Sequence, residues 1–552
     1  MRVFIGTLVL LAAIPASAIV DMKNANYTNT WTDITVPGTG YDMRVARTYN
    51  SRSLFSGIFG FGWCSDFETT LEVLAEGNLR LTECGAGQEI IYTPRDFDKK
   101  DLDKFVATLM AKIKASAKTK QPDGYYKELM QDISEDEEIR AKYAREQGMQ
   151  LPVKEGQVFL ANGREVENIV FNKKFYTRTL PDGSQARFSP DKGKMTAMYD
   201  KNGNFLKLEW DKNNLKEVVD NNGRKLSFKY FQNGKVQKVT GPNGLSSEYK
   251  FANLDDLSWV KNGWGNEYKF AYDDLHNLVK IDYPDNTFFA LTYDKQKDWV
   301  MSFTDRQKCL ENYTYDTDKN DPKNHHWSTV KKTCGKDVIA DNKFEFWYKN
   351  RSSDGRPFLQ RVATTVNDNT TDVTYHEIFG RPLVIIRNNE KVNFTYYANG
   401  LVQSKAQTGA RFEYEYEQKQ KKVSKVSSTY TDPKGKVIAK KVSAFKYDDK
   451  GNLTYAQNSD GQKVNLTYDN RGRIATITDQ AKKVVKIEYE EKFGKPAIVS
   501  RPGLGTIRVS YKNSGEINKV ESKEGPQVAT QVASTFNNLL DIIAPATAEI
   551  YL

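Results

Sequence analysis

From about residue 185 the chain repeats itself. Aromatic residues return every 20 to 22 positions: Phe188, Trp210, Tyr230, Phe251, Tyr272, Tyr293 and Tyr315. A second series, Tyr375, Tyr396, Tyr416, Tyr447, Tyr468, Tyr489 and Tyr511, keeps the spacing except for one step of 31 residues between Tyr416 and Tyr447. A period of this length holds one supersecondary unit that cannot bury its apolar side alone, so the units must stack on one another. Turn signals follow the same rhythm. Asn202-Gly203, Asn222-Gly223, Asn243-Gly244 and Asn262-Gly263 recur every 19 to 21 residues, with Asn233-Gly234 midway in one interval. Asn-Gly tolerates positive φ at both positions and reads as a type I′ hairpin turn. Two turns per period leave two strands of about 6 to 8 residues. Between turns the residues alternate, Leu226, Phe228 and Tyr230 against Lys225, Ser227 and Lys229, which puts an apolar face opposite a Lys-bearing one. The expected fold is mainly β: a long antiparallel hairpin-repeat sheet.

Composition agrees once that sheet is assumed. The 552 residues carry 81 Lys and Arg against 71 Asp and Glu, with a mean hydropathy of −0.67. Such polarity on its own would suggest disorder, but 30 Tyr, 28 Phe and 8 Trp argue against it. A thick-cored α/β enzyme of this length would need more aliphatic residues.

Residues 1–18 read as a secretory signal: Arg2, an apolar run from Val3 to Ile14, then Pro15 and the small Ala16-Ser17-Ala18, with cleavage expected between Ala18 and Ile19. No later stretch approaches the ~20 apolar residues of a spanning helix, so no transmembrane segment is expected after signal removal. The destination is the periplasm, the cell surface or the medium. An oxidising compartment makes Cys64, Cys84, Cys309 and Cys334 disulfide candidates. Of three connectivities we favour the local one, Cys64 with Cys84 and Cys309 with Cys334. Without a C-x-x-C, and with His325-His326 in a polar stretch, neither a metal nor a cofactor is expected.

The motifs carry a family resemblance. Tyr199-Asp200-Lys201-Asn202-Gly203-Asn204, Tyr447-Asp448-Asp449-Lys450-Gly451-Asn452 and Tyr468-Asp469-Asn470-Arg471-Gly472-Arg473 look like the YD motif of Rhs/YD-repeat proteins. Val36-Pro37-Gly38-Thr39-Gly40, Arg47-Thr48-Tyr49-Asn50-Ser51-Arg52-Ser53 and Gly60-Phe61-Gly62-Trp63 resemble the N-terminal domain that precedes such repeats. The resemblance implies a shell or spiral, here partial. Larger Rhs proteins typically close around a C-terminal toxin and carry an Asp-Pro-x-Gly core. Asp432-Pro433-Lys434-Gly435 matches only that tetrad, lies within the repeats and precedes no toxin-sized region. Independently of the name, Gly203, Gly451 and Gly472 suit a positive-φ turn position, Asp200, Asp448 and Asp469 can bond their own turns, and Tyr closes the strand before. These residues are read as structural.

Three segments depart from the repeat. Residues 98–150 read as a helical insertion between an N-terminal β domain at 19–97 and the repeat sheet at 151–525. Leu102, Phe105, Val106, Leu109, Met110 and Ile113 have helical spacing, a second helix is expected near Tyr125 to Ile133, and Ser134-Glu135-Asp136-Glu137 is expected to cap a third. Residues 418–446 hold nine Lys, Lys421, Lys422, Lys425, Lys440 and Lys441 among them, against Asp432. They fall on the 31-residue step and suggest a lengthened basic hairpin, an anion-binding candidate or a protected sheet edge. Residues 526–552 read as an amphipathic helix from Pro526 to Ile543, ended by Ala544-Pro545, with a short tail.

G-x-S-x-G, H-E-x-x-H and P-loop motifs are absent, and Asp316, Asp318, Asn320 and Asp321 lack the Gly and Glu of a calcium loop. No catalytic residue is expected. The leading expectation is an exported, non-enzymatic binding or scaffold protein, with anionic polysaccharide or a cell-surface glycan as the first ligand class. The alternative is a reduced shell holding a protein cargo, and a third class is an outer-membrane barrel. Nucleic acid is not an expected partner.

Overall fold

The structure, a computed structural model, describes residues 19–547 other than 84–87, 118, 120, 162, 165, 353, 354, 514 and 523. The signal segment and Cys84 lie outside the described residues. The chain is mainly β, with one antiparallel sheet of 36 strands in which each strand pairs with its neighbours in chain order, from Thr70–Val73 to Ile517–Glu521. The two terminal strands do not pair with each other, so the sheet is open. Its first strand instead touches a later period: Thr70 bridges Lys194, and Leu71 N donates to Gly193 O at 2.8 Å.

Within a period the alternation places side chains as expected. Leu226 and Phe228 are buried, whereas Lys225 and Lys229 are exposed. At the aromatic position the register slips by one residue, at Tyr230, Tyr272, Tyr293, Tyr396, Tyr468 and Tyr489 alike. A bulge bends its strand and increases local twist. Repeated at the same place in most periods, though not at Tyr315, where the register is unbroken, it curls the sheet.

The type I′ expectation holds at Asn243-Gly244, where both residues are left-handed (φ of 58° and 79°) and Leu245 N donates to Pro242 O, and is corrected at the other turns. At Asn202-Gly203, Asn222-Gly223 and Asn233-Gly234 only the glycine is left-handed, with φ of 91°, 74° and 81°. At Asn262-Gly263 the left-handed residue is Gly265. Gly203 N donates to Asp200 O and Asp200 N to Asn204 O, a longer loop whose glycine forms the bulge position. The asparagine is left free to bond elsewhere, and at the rim it does.

The winding can be read from contacts between distant turns. Lys201 Nζ donates to Gly451 O, Asn204 Nδ2 to Arg471 O, Arg224 NH1 to Lys492 O and Asn243 Nδ2 to Asn513 O, across 250, 267, 268 and 270 residues. Both sides advance in steps of one period, so the rim has come round once and abuts itself. One turn of the spiral takes about that many residues.

Two segments cover the apolar face. An N-terminal sheet, built on the strands Asn26–Val36 and Met43–Asn50, packs on the earlier repeats and buries Tyr27, Ile34, Met43, Phe59 and Trp63 completely. The second is the C-terminal helix, described below. Three helices, α1 (Lys99–Ser116), α2 (Asp123–Glu135) and α3 (Glu137–Glu146), pack together on Ala75 of the first hairpin through Phe105, Leu109, Leu129 and Ile133. The cap of α3 is Asp136, which accepts from Glu138 N and Ile139 N, rather than Ser134, whose hydroxyl donates back to Met130 O. Helix α4 (Gly525–Thr547) runs through the expected Ala544-Pro545 stop. Proline in the last turn removes a single helical N–H while its ring holds a helical φ, so one more turn forms.

Candidate functional site

The surface with the most structure built on it is the apolar face of the sheet. On the earlier repeats it is sealed by the N-terminal sheet. Asp33 and Arg47, both fully buried, form an ion pair of 2.8 Å beneath Trp63, and Tyr249 Oη donates to Asp33 Oδ2. Trp63 Nε1 donates to Tyr272 Oη, and Leu278 N to Tyr49 Oη. Burial pushes the hydroxyls of Tyr27, Tyr249 and Tyr272 far above the ordinary phenol range, so they act as neutral donors. Burial likewise pushes Glu68 up to about 7, against the pull of Ile58 N and Ser65 N, which both donate to it.

On the later repeats the face is made by Phe394, Tyr414, Phe445, Val464, Leu466 and Ile477, and here α4 takes the place of the N-terminal sheet. Val528 and Ile542 are fully buried, Leu539 nearly so, and Val532 and Phe536 pack beside them. Arg501 NH1 donates to Gln531 Oε1 at 2.9 Å, and Gly505 lies against Glu524 and Val528. A 23-residue segment is thus held along the sheet by an apolar stripe at helical spacing.

The YD residues build this face. Oδ1 of Asp200, Asp448 and Asp469 accepts from the backbone N–H two and four residues on, in each case within 3.0 Å. The tyrosine hydroxyl does something the period alone does not reveal. Tyr230, Tyr272, Tyr293, Tyr315, Tyr468, Tyr489 and Tyr511 each donate to the carbonyl 15 residues upstream. Tyr447, across the lengthened hairpin, reaches 24 residues back to Val423 O. Each YD tyrosine therefore rivets its strand to the start of a strand in the hairpin before. Tyr199 is different: it lies under the Arg187 guanidinium, and its carbonyl accepts from Tyr41 Oη.

The segment 37–41 sits where the rim meets itself. Arg224 NH1 donates both to Pro37 O, at 2.7 Å, and to Lys492 O, while Gly40 packs on Asn204 and Thr39 on Gly494. The glycines of Val36-Pro37-Gly38-Thr39-Gly40 serve close approach at this seam rather than ligand binding.

The basic hairpin is formed by Val423–Thr431 and Val437–Tyr447, longer than a neighbouring strand such as Lys463–Tyr468. Its charges are partly answered: Lys425 pairs with Glu415 and Lys441 with Asp460, both at 2.7 Å. Lys440 is exposed. Lys421 and Lys422 do not project with the hairpin; they line a cavity of about 850 Å³ at the C-terminal end of α4, together with Tyr375, Tyr416, Tyr447 and Ala546. Cys309 and Cys334 form a disulfide. No cluster of three or more metal-ligating side chains occurs among the described residues, and no helix among them is long and apolar enough to cross a membrane. Two constellations look catalytic at first. Ser56 Oγ lies 2.6 Å from Lys235 Nζ, but both groups are tied to Asp255, Lys235 by an ion pair and Ser56 by hydrogen bonds to the carboxylate. His276 Nδ1 pairs with Asp256 at 2.9 Å.

The geometry defines a hairpin-repeat β shell with segments of its own chain seated on the apolar face. Comparison with known proteins agrees. The teneurin YD-shell family matches residues 352–545, and a domain family of unknown function (DUF6531) matches residues 18–92. The chain is an Rhs/YD-repeat protein. Among solved structures it is similar to the crystal structure of TcdB2-TccC3-TEV (12% identity, TM-score 0.42, covering 93% of this chain and 28% of that one). It is also similar to TcdB2-TccC3 without its hypervariable C-terminal region (12%, 0.42, covering 90% and 27%) and to the Photorhabdus luminescens Tc holotoxin pore (10%, 0.41, covering 90% and 26%). The chain thus spans little more than a quarter of the length of those chains. No curated protein sequence matches it.

Proposed function

We propose that this protein is an exported, non-catalytic YD-shell scaffold whose apolar sheet face sequesters a polypeptide segment. The observation that carries the reading is α4, an amphipathic helix seated across the later repeats exactly as the N-terminal sheet is seated across the earlier ones. The sheet is rigidified by its rivets and seam, so the face is preformed and any segment with an apolar stripe at helical spacing suits it. Export is supported by the character of residues 1–18 and by the Cys309–Cys334 disulfide. The test is a chain truncated at Glu524, titrated with a labelled peptide of residues 525–547. Saturable one-to-one binding in trans is expected, weakened when Ile542 is replaced by Asp. A truncated chain that neither binds the peptide nor takes up an apolar dye overturns the reading.

Anionic glycan is the second reading, favoured by exposed Lys440 and the Lys cluster of the long hairpin. On that reading Lys434→Gln, Lys436→Gln and Lys440→Gln together abolish salt-sensitive retention on a heparin column. Unchanged retention excludes the hairpin.

A further inference from the structure

The joint between the helical insertion and the sheet is crowded with polar atoms that find no partner. Glu76, at the turn between Thr70–Val73 and Leu79–Glu83, and Arg140 of α3 are 4% and 5% exposed and meet at 3.4 Å. Glu76 Oε1 also accepts from Asn78 Nδ2 at 3.2 Å. Glu76 Oε2 and Glu137 Oε1 are both buried and neither has a donor among the described residues. Asn78 Oδ1, Arg80 Nε and Arg140 Nε, at the same joint, are also buried without partners. Unanswered buried polar atoms are costly and call for an explanation. Glu137 is held at this joint by its α3 neighbours, Glu138 on Arg80 and Arg140 on Glu76, and two buried carboxyl oxygens brought together there without a donor are both satisfied by a single hydrogen between them.

We propose that Glu76 and Glu137 share one proton between Glu76 Oε2 and Glu137 Oε1, and that this proton clips the three-helix insertion to the sheet, making it an acid-closed flap. Every charged group around the pair is accounted for. From the sheet, Arg80 pairs with Glu72 at 3.7 Å and with Glu138 of α3 at 2.5 Å. From α3, Arg145 also reaches Glu72, at 3.5 Å. Arg140 divides its hydrogen bonds between Glu76 and the α2 carbonyls of Ile133 and Ser134. Helix α1 presents Asp101, Lys104 and Lys112, and the flanking segments Asp96, Asp98 and Lys154, along a groove of about 570 Å³ that has Glu76 in its wall. Arg140 alone of these cations contacts Glu76, so losing the shared proton leaves two carboxylates against one partly committed guanidinium.

The direction in which Glu137 is shifted agrees with that placement. Burial and then the Glu76 carboxyl push Glu137 up to about 7, against the pull of Arg140 and Asn78. An unfolded Glu titrates near 4.5. Between these values the docked state binds the extra proton, so docking is strongest at the acid end of the window, weakens as pH rises through it, and is level above about 7. What the flap covers is apolar: Ala75 and Leu151, which lie in one cluster with Phe105 and Leu109 of α1.

Amide hydrogen exchange of the full chain, corrected for intrinsic rates and compared at about pH 5 and about pH 8, tests the clip. We expect amides of residues 99–146 to exchange at least about tenfold faster at the higher pH, while strands between residues 463 and 511 hold level. Glu137→Gln places a permanent amide donor opposite Glu76, and the pH difference should vanish with the insertion still protected. Equal protection of the wild-type insertion at both pH values overturns the proposal, as does a full pH difference persisting in a folded Glu137→Gln chain. Where that variant fails to fold, Glu76→Gln repeats the test, and the wild-type comparison decides by itself.

Discussion

The tyrosine rivets make a graded prediction. In Tyr272→Phe the hydroxyl that is lost both accepts from Trp63 Nε1 at 2.8 Å and donates to Leu257 O at 3.0 Å, between two residues that are themselves fully buried. Removing it leaves an indole N–H and a carbonyl without that partner, and each unanswered buried group costs about 1–3 kcal/mol. The expected loss is therefore about 2–6 kcal/mol. Tyr468→Phe removes a single bond, to Leu453 O at 2.8 Å, in a half-buried site, and should cost about 1 kcal/mol. Tyr511→Phe removes the same kind of bond, to Pro496 O, from an exposed site where water replaces it, and should cost about 0.5 kcal/mol or less. Phe keeps the ring, so packing is unchanged in all three. Unfolding by urea, followed by tyrosine and tryptophan fluorescence at fixed protein concentration, gives the order directly. The reasoning fails if Tyr511→Phe is as damaging as Tyr272→Phe, since the rings and not the hydroxyls would then carry the repeat.

Three further outcomes follow from other parts of the shell. Gly40→Ala would place a Cβ 2.5 Å from Asn204 Cβ at a left-handed φ of 81°, so the seam should part there, seen as new protease cleavage near residues 199–204 with the distal strands intact. Glu68, held at about 7 by burial, retains its proton more readily in the folded chain than in the unfolded one. Its contribution is therefore present in acid and lost as pH rises from about 4.5 through 7; thermal scans of wild type should fall across that window, and those of Glu68→Gln should fall less. Replacing Cys309 and Cys334 by Ser opens a 25-residue separation and should lower stability by about 3 kcal/mol, with faster exchange confined to residues 305–336. A change spread over the whole sheet would contradict that local role.

Much of the architecture was legible before any coordinates. The aromatic period, the Lys alternation and the lengthened hairpin at 423–447 required only counting, because a strand's two faces and a repeat's length are local properties. The turn type was legible at Asn243-Gly244 but misread at the other turns, because Asn-Gly is compatible with two loop geometries and the pairing of the flanking strands chooses between them. The α4 stop was misread for a similar reason: Ala544-Pro545 looks like an end, yet a proline in the last turn costs one bond and packing of Ile542 and Ile543 outweighs it. The rivets were invisible, since a hydroxyl's partner 15 residues away is known only once the register is.

The sequence by itself determined the sheet: strand length, turn placement, which face is apolar and which carries Lys. All of these follow from spacing within some twenty residues. Only the tertiary structure decided that the bulged sheet winds once in about 250 to 270 residues and meets itself at Asn204, Arg224 and Arg471. Only there did it emerge that the N-terminal sheet and α4 share one apolar face, and that Glu76 of the first hairpin meets Arg140 of α3. The physical reason is that curvature accumulates: a small bend per hairpin carries no local sequence signature, yet its sum over a dozen repeats fixes which distant residues touch.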